Sequence, residues 1–231
     1  MSADIIDWRR IMERTITIKG VGKATIKPDY VIISLAVEAK EKKYANAVES
    51  AAKKINKLNS ALQESAPEAG NVMTVSYNVR ADYNFVRDWK NQEQRQLDGY
   101  VCVHRLKIEF DYDTTLLGTV LSAISGCLAN PQLDISFTVK DKDAVNQELL
   151  NNVVKSAQKK AETLCCSSGV SLGKLLKIDY NWNDINIFSK ADLQLKDISS
   201  LALPNAPLPT IDIHPNDINV TDTATFVWEI M

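Results

Sequence analysis

Histidine is nearly missing from this 231-residue chain, which carries only His104 and His214. Most routes to a neutral-pH proton shuttle or an imidazole-bound metal go with it, and neither histidine stands in a His-x-x-x-His or Glu-x-x-His spacing. Cysteine is almost as sparse. Cys102, Cys127, Cys165 and Cys166 form no CxxC pair, and neighbours such as Cys165 and Cys166 close a mutual disulfide only with unusual strain. Cys165 and Cys166 fall in a helical pattern, where small apolar packing is the plain reading. Four reduced thiols in a cytoplasmic protein is the expectation. Eight glycines and seven prolines exclude a collagen-like or low-complexity chain. No run approaches the ~20 apolar residues that a membrane-spanning helix needs. Met1 to Arg14 is broken by Asp4, Asp7, Arg9, Arg10, Glu13 and Arg14, so it lacks a hydrophobic region of signal-peptide length. Charge of one sign is absent too: 27 Lys and Arg meet 29 Asp and Glu, a net charge of −2, with no basic block. That balance gives no pull toward nucleic acid or anionic lipid.

What the chain does have is periodicity. Met73, Val75, Tyr77, Val79, Ala81, Tyr83 and Phe85 alternate with polar residues and predict a long, half-buried β-strand. Tyr100, Cys102, His104, Leu106, Ile108, Phe110 and Tyr112 alternate likewise, and the two runs read as one extended antiparallel hairpin. Ahead of them, Thr15 to Lys19 is read as a short strand turning through Gly20-Val21-Gly22 into another at Lys23 to Lys27, followed by a strong run from Tyr30 to Ala39. Tyr44, Val48, Ala51, Ile55, Leu58 and Leu62 then mark an amphipathic helix of about six turns. After the hairpin, Asp113-Thr114 opens a helix with Leu116, Leu117, Val120, Leu121 and Ile124 that ends near Gly126. A strand returns at Leu133 to Val139. Asp141 or Asp143 starts a longer helix with Val145, Leu149, Val153, Ala157, Ala161 and Leu164 on one stripe, closing at Ser167-Ser168-Gly169. Lys174 to Asn181 and Asp217 to Ile230 read as the last strands.

From Tyr30 to Val139 the order is β, α, β, β, α, β, that of a ferredoxin-like split βαβ unit. The predicted class is α+β: a largely antiparallel sheet with a long β-hairpin and about three helices on one face. Residues 1–14 are expected to be an N-terminal extension and residues 15–231 a single domain. Its irregular stretch, Asn183 to Pro215, carries Pro204, Pro207, Pro209 and Pro215 and is too long for an ordinary connection. Apolar residues such as Ile187, Leu195 and Leu203 argue that it packs, either on its own fold or on a neighbouring subunit.

Catalytic patterns are wanting. Gly20-Val21-Gly22 has no third glycine and no helix after it, so a hairpin turn is preferred to a phosphate loop. The pairs Asp111 with Asp113 and Asp141 with Asp143 read as surface carboxylates. His104 is in phase with the apolar side of its strand and is read as a core or interface residue, and His214 as a loop residue. At the hairpin tip, Arg87 to Gln96 combines Trp89 with basic and amide groups, but Asp88 and Glu93 dilute its charge. An arm reaching a partner is preferred there to a base-stacking platform.

Taken together, these pieces give a resemblance. Gly20-Val21-Gly22 is followed by Lys27-Pro28-Asp29, Gly99-Tyr100 opens the second hairpin arm, and Ile135-Ser136-Phe137 marks a later strand. Ala157 and Lys160-Ala161-Glu162 stand in the long helix, and Gly169-Val170-Ser171-Leu172-Gly173 leads into a strand. In that order and spacing, over about Thr15 to Glu229, the chain resembles the SIMPL-domain family. That family includes bacterial envelope-associated immunogenic proteins and an animal protein that associates with a Pelle-like, interleukin-1-receptor-associated kinase. The resemblance implies an α+β module without established catalytic residues, a tendency to oligomerise, and roles in stress tolerance, envelope biology or protein interaction. It brings no active site to carry over. Many bacterial members look exported, whereas this sequence shows no leader, so a cytoplasmic member is expected, or an exported one whose leader has been removed.

The functional expectation is a non-enzymatic, self-associating scaffold or protein-interaction module: a homo-oligomer with room for a protein partner. No catalytic, cofactor or metal residues are assigned, and neither nucleic acid nor a transmembrane segment is expected. The alternative is a small-molecule or peptide binder using a cleft beside residues 183–215.

Overall fold

The structure, a computed structural model, describes residues 14–87, 93–127, 129, 131–181, 185–190, 213 and 215–231. Among them are eight strands and three α-helices, in the order β1 (Thr15–Ile26), β2 (Tyr30–Glu41), α1 (Tyr44–Ser65), β3 (Met73–Arg87), β4 (Glu93–Asp111), α2 (Thr114–Gly126), β5 (Gln132–Thr138), α3 (Lys142–Ser167), β6 (Leu172–Tyr180), β7 (Ser189–Lys190) and β8 (Ile218–Ile230). The α+β class, the antiparallel pairing and the long hairpin are all present. Instead of one sheet there are two, because β1, β8 and β6 pair among themselves. The chain accordingly divides into two compact units, one holding β1, α3, β6 and β8, the other β2 to β5, β7, α1 and α2.

In the second unit the strand order is β3-β4-β2-β5-β7, antiparallel throughout. Its first four strands have the ferredoxin-like arrangement. Alternation along β2 puts Val31, Ile33, Leu35 and Val37 on one face with Leu106, Ile108 and Phe110 of β4 and Ile135 and Phe137 of β5, all buried with Leu58 and Leu62 of α1 and Leu117, Val120, Leu121 and Ile124 of α2. Each such Leu, Ile or Phe contributes roughly 1.5–3 kcal/mol by leaving water. Asp113 caps α2, its side chain accepting from the Leu116 N–H at 2.8 Å. Ile213 also belongs to this core, and its carbonyl accepts from the Tyr112 hydroxyl at 2.8 Å. That part of the irregular stretch therefore packs on its own fold. Most of the rest, residues 182–184, 191–212 and 214, lies outside the described residues.

Two helical stripes differ from expectation. In α1, Ala47 and Ala51 are buried while Tyr44 is exposed and meets Tyr100 edge-on, with ring centroids 5.7 Å apart. In α3 the buried stripe is Val145, Leu149, Val153, Ala157, Ala161 and Cys165, a strict four-residue repeat that leaves Leu164 exposed. Asp141 is the residue that caps α3, accepting from the Ala144 N–H at 2.8 Å.

In the first unit, β1 is a single unbroken strand paired with β8 from Thr15↔Glu229 to Ile26↔Ile218, so the expected hairpin turn at Gly20-Val21-Gly22 is not formed. The glycines serve closeness instead. A Cβ on Gly20 would lie 2.4 Å from the Val153 carbonyl oxygen, and one on Gly22 2.4 Å from that of Leu149, both in α3. Bare backbone lets the helix settle onto the strand and bury Val153, Ala157 and Ala161 against Ile18, Phe226 and Trp228. The nearest neighbour of Gly22 is helix backbone, the Leu149 carbonyl, which cannot yield locally. Gly22→Ala should therefore cost about 1–3 kcal/mol by overpacking. Gly118→Ala, in α2 with open space around it, should gain about 0.5–1 kcal/mol from helix propensity. Urea denaturation of the two variants against the parent checks both signs.

Candidate functional site

The β3-β4 hairpin is the most unusual surface of the protein. β3 is an edge strand of 15 residues, and β4 has 19. Only Tyr100 to Asp111 of β4 pair with β2, so Glu93 to Leu97 pair with β3 alone. Beyond the sheet the hairpin is therefore a two-stranded arm. Residues 88–92 of its tip, including Trp89, lie outside the described residues.

The root of the arm is a bulge. Asp82 opposes Gly99 and Tyr83 opposes Leu97, leaving Asp98 as the extra residue on β4. Gly99 has φ +147°, and a Cβ there would meet the Glu41 carbonyl oxygen at 2.5 Å. Lysines from the end of β2 clamp the spot: Lys40 Nζ lies 2.7 Å from Asp82 and 2.5 Å from Asp98, and Lys42 Nζ lies 2.7 Å from the Asp98 carboxylate and 2.8 Å from its carbonyl oxygen. Hydrogen bonds from Lys40 and Lys42 hold the Asp98 carboxyl down at about 2. Lys40 lowers that of Asp82 in the same way.

A second bulge, at Val75 between Thr74 and Ser76, corrects the simple alternation. Met73 opposes Lys107, which opposes Ser34 on the face away from the helices, whereas Tyr77 opposes His104, which opposes Val37 on the helix side. Tyr77, Val79, Ala81, Tyr83 and Phe85 thus share one face, while Met73 shares the other with Val75. Val75 joins Ala36, Arg105, Leu133 and Asp134 in a groove of about 320 Å³. Nor is the strand half-buried as expected. Val75, on the face away from the helices, is 61% exposed, and on the helix side Tyr77 is 48% and Phe85 72% exposed, because α1 reaches β3 only at Val79. Leu97 and Val86 are exposed beside them, and the Arg95 guanidinium lies 3.9 Å from the centre of the Tyr83 ring.

His104 is half-buried in this hairpin. Its Nε2 is 2.9 Å from Thr74 Oγ1, its ring meets Tyr77 edge-on at 5.1 Å, and its buried Nδ1 has no hydrogen-bond partner. Burial lowers its pKa and favours the neutral ring. Interaction with the Cys102 thiol, with partial desolvation adding to it, pushes the Tyr77 hydroxyl up to about 12. Cys102, Cys127 and Cys165 are buried and Cys166 is exposed, all as free thiols. Asp111 pairs with Lys140 at 2.7 Å, while Asp113 and Asp141 cap helices. Among the described residues no three His, Cys, Asp or Glu side chains converge as metal ligands, and no helix is long and apolar enough to cross a membrane. His214 and most of the flank of the cleft expected beside residues 183–215 lie outside the described residues. Sequence reasoning named the hairpin but missed its clamp, for which the Asp98-Gly99 step was the available signal.

An α+β protein with two antiparallel sheets and a long edge hairpin is thereby defined, and the chain belongs to the SIMPL family, described as a protein of unknown function (DUF541), over residues 16–228. Its sequence is similar to the 26 kDa periplasmic immunogenic protein of Brucella melitensis, with 24% identity over 163 residues, 71% of this chain and 65% of the relative. The protein of the same name in Brucella abortus strain S19 gives the same identity and coverage. The match thus spans slightly less than two thirds of those relatives. Their names give no support to the cytoplasmic location expected for this chain.

The clamp makes the arm acid-sensitive. Because the carboxyls of Asp98 and Asp82 are depressed in the folded state, their contribution is present above the ordinary aspartate pKa of about 3.9 and is lost as pH falls toward about 2. NMR shifts of the hairpin amides should move over that interval. Asp98→Asn should abolish most of the movement.

Proposed function

We propose that this protein is a non-enzymatic, self-associating module of the cell envelope, exported to the periplasm, whose β3-β4 hairpin joins copies into an oligomeric scaffold. One observation carries the reading: a 15-residue edge strand with no strand paired on its outer side among the described residues and with exposed Val75, Phe85 and Val86 side chains. Such an edge spans about 50 Å and templates pairing unless it is short, charged or covered. Among the described residues the opposite edge of the same sheet, β7, spans two residues. A second copy presenting the same strand across a two-fold axis satisfies both backbones and buries Tyr77 and Phe85 of each. The names of the Brucella relatives support the periplasmic location.

The test is the solution mass by light scattering across a concentration range. The parent is expected to be oligomeric. Phe85→Lys together with Val86→Lys should reduce the mass while changing monomer stability little, since both side chains are exposed. A parent that stays monomeric, or a double variant of unchanged mass, would remove the hairpin from this role.

A further inference from the structure

The first unit has an edge of its own, and its treatment is different. In the β1-β8 ladder the Ile230 N–H donates to the Arg14 carbonyl at 2.8 Å, and Arg14 and Ile230 face one another. Alternation then turns the N–H and C=O groups of Thr15, Thr17, Lys19, Val21 and Lys23 outward, away from β8. Three of these residues are met by side chains of α3. Asn152 Nδ2 donates to the Lys23 carbonyl at 3.1 Å, the Val21 N–H donates to Ser156 Oγ at 3.4 Å, and Lys160 Nζ donates to the Lys19 carbonyl at 3.1 Å. The match is one of pitch: four helical residues rise about 6 Å, and two strand residues advance about 6.7 Å. The helix thus stands in for a neighbouring strand, and Gly20 and Gly22 bring it near enough to do so.

The substitution stops at Thr17. The next residue of the helical stripe is Leu164, which has no polar group to offer, and it is 49% exposed. Here the wall between strand and helix opens into a groove of about 710 Å³, lined by Thr17, Lys19, Lys159, Lys160, Thr163 and Leu164. The outward backbone groups of Thr17 have no partner among the described residues. The groove's charged side chains are all lysines.

We propose that this groove takes an extended, acidic peptide segment of a partner protein as an added strand on β1. The outward groups of Thr17 and Thr15 bond the peptide backbone. Lys159, Lys160 and Lys19 meet its carboxylates, and Leu164 takes an intervening apolar side chain. Positive charge on the groove, with no carboxylate in its lining among the described residues, selects an acidic segment over a basic one.

The experiment is fluorescence anisotropy of a fluorescein-labelled octapeptide of alternating Glu and Val with the full-length protein at low salt. Binding is expected, with none for alternating Lys and Val. Methylating the peptide nitrogens on one edge should weaken binding more than about tenfold, since backbone hydrogen bonds are lost. Lys159→Glu, at an exposed position, should weaken it about fivefold, while Lys57→Glu, on the exposed face of α1, should change nothing. Absence of binding would overturn the proposal, and so would undiminished binding of the methylated peptide, which would mean loose charge attraction only. Equal sensitivity to Lys57→Glu and Lys159→Glu would mean attraction to the overall charge, not to the groove, and equally overturn it.

Discussion

Every open β-sheet leaves half of the backbone groups on its two outermost strands unpaired, and the architecture of this protein is organised around that constraint. Buried amides without partners are too costly to keep, and exposed ones recruit other chains. The first unit covers much of one edge by laying α3 along β1 and bonding Asn152, Ser156 and Lys160 to its backbone. The second unit shortens one edge to β7 and leaves the other, β3, long and apolar. The two edges contrast: one is met side chain by side chain from a helix, and the other has no strand beyond it among the described residues.

The helices carry this through to packing. α3 comes close to β1 only where the strand has no Cβ, and the same closeness brings Val153 and Ala157 into contact with the core. The glycines, the small residues along the helix and the side-chain bonds to the strand edge are one solution seen at three levels. In the second unit no such approach is needed. Leu58, Leu117 and Val120 reach the sheet over ordinary distances, and their coverage ends before β3.

The elements were legible because periodicity is local. Alternation from Tyr30 to Ala39 and the stepping of Leu149, Val153 and Ala157 need only neighbours a few residues away to be read. What was not legible depended on partners far along the chain. Gly20-Val21-Gly22 has the composition of a turn, and only the nearness of Val153 and Leu149, some 130 residues later, makes it strand. The bulge at Val75 is invisible in an unbroken apolar-polar rhythm, since the register belongs to β4 as much as to β3. Burial of Tyr77 and Phe85 was wrongly expected because alternation marks an apolar face without saying whether anything covers it. The lysine clamp was hidden for the same reason, its charges lying on β2, β3 and β4.

The bulge at Asp98-Gly99 also has an evolutionary consequence. With the root pinned to Lys40 and Lys42, the register of β4 against β2 is set before the arm begins. Residues beyond it can be gained or lost in matched pairs, one from each strand, without shifting a single contact of the core. Descendants of such a chain are free to vary the reach of the arm while keeping the rest of the fold unchanged.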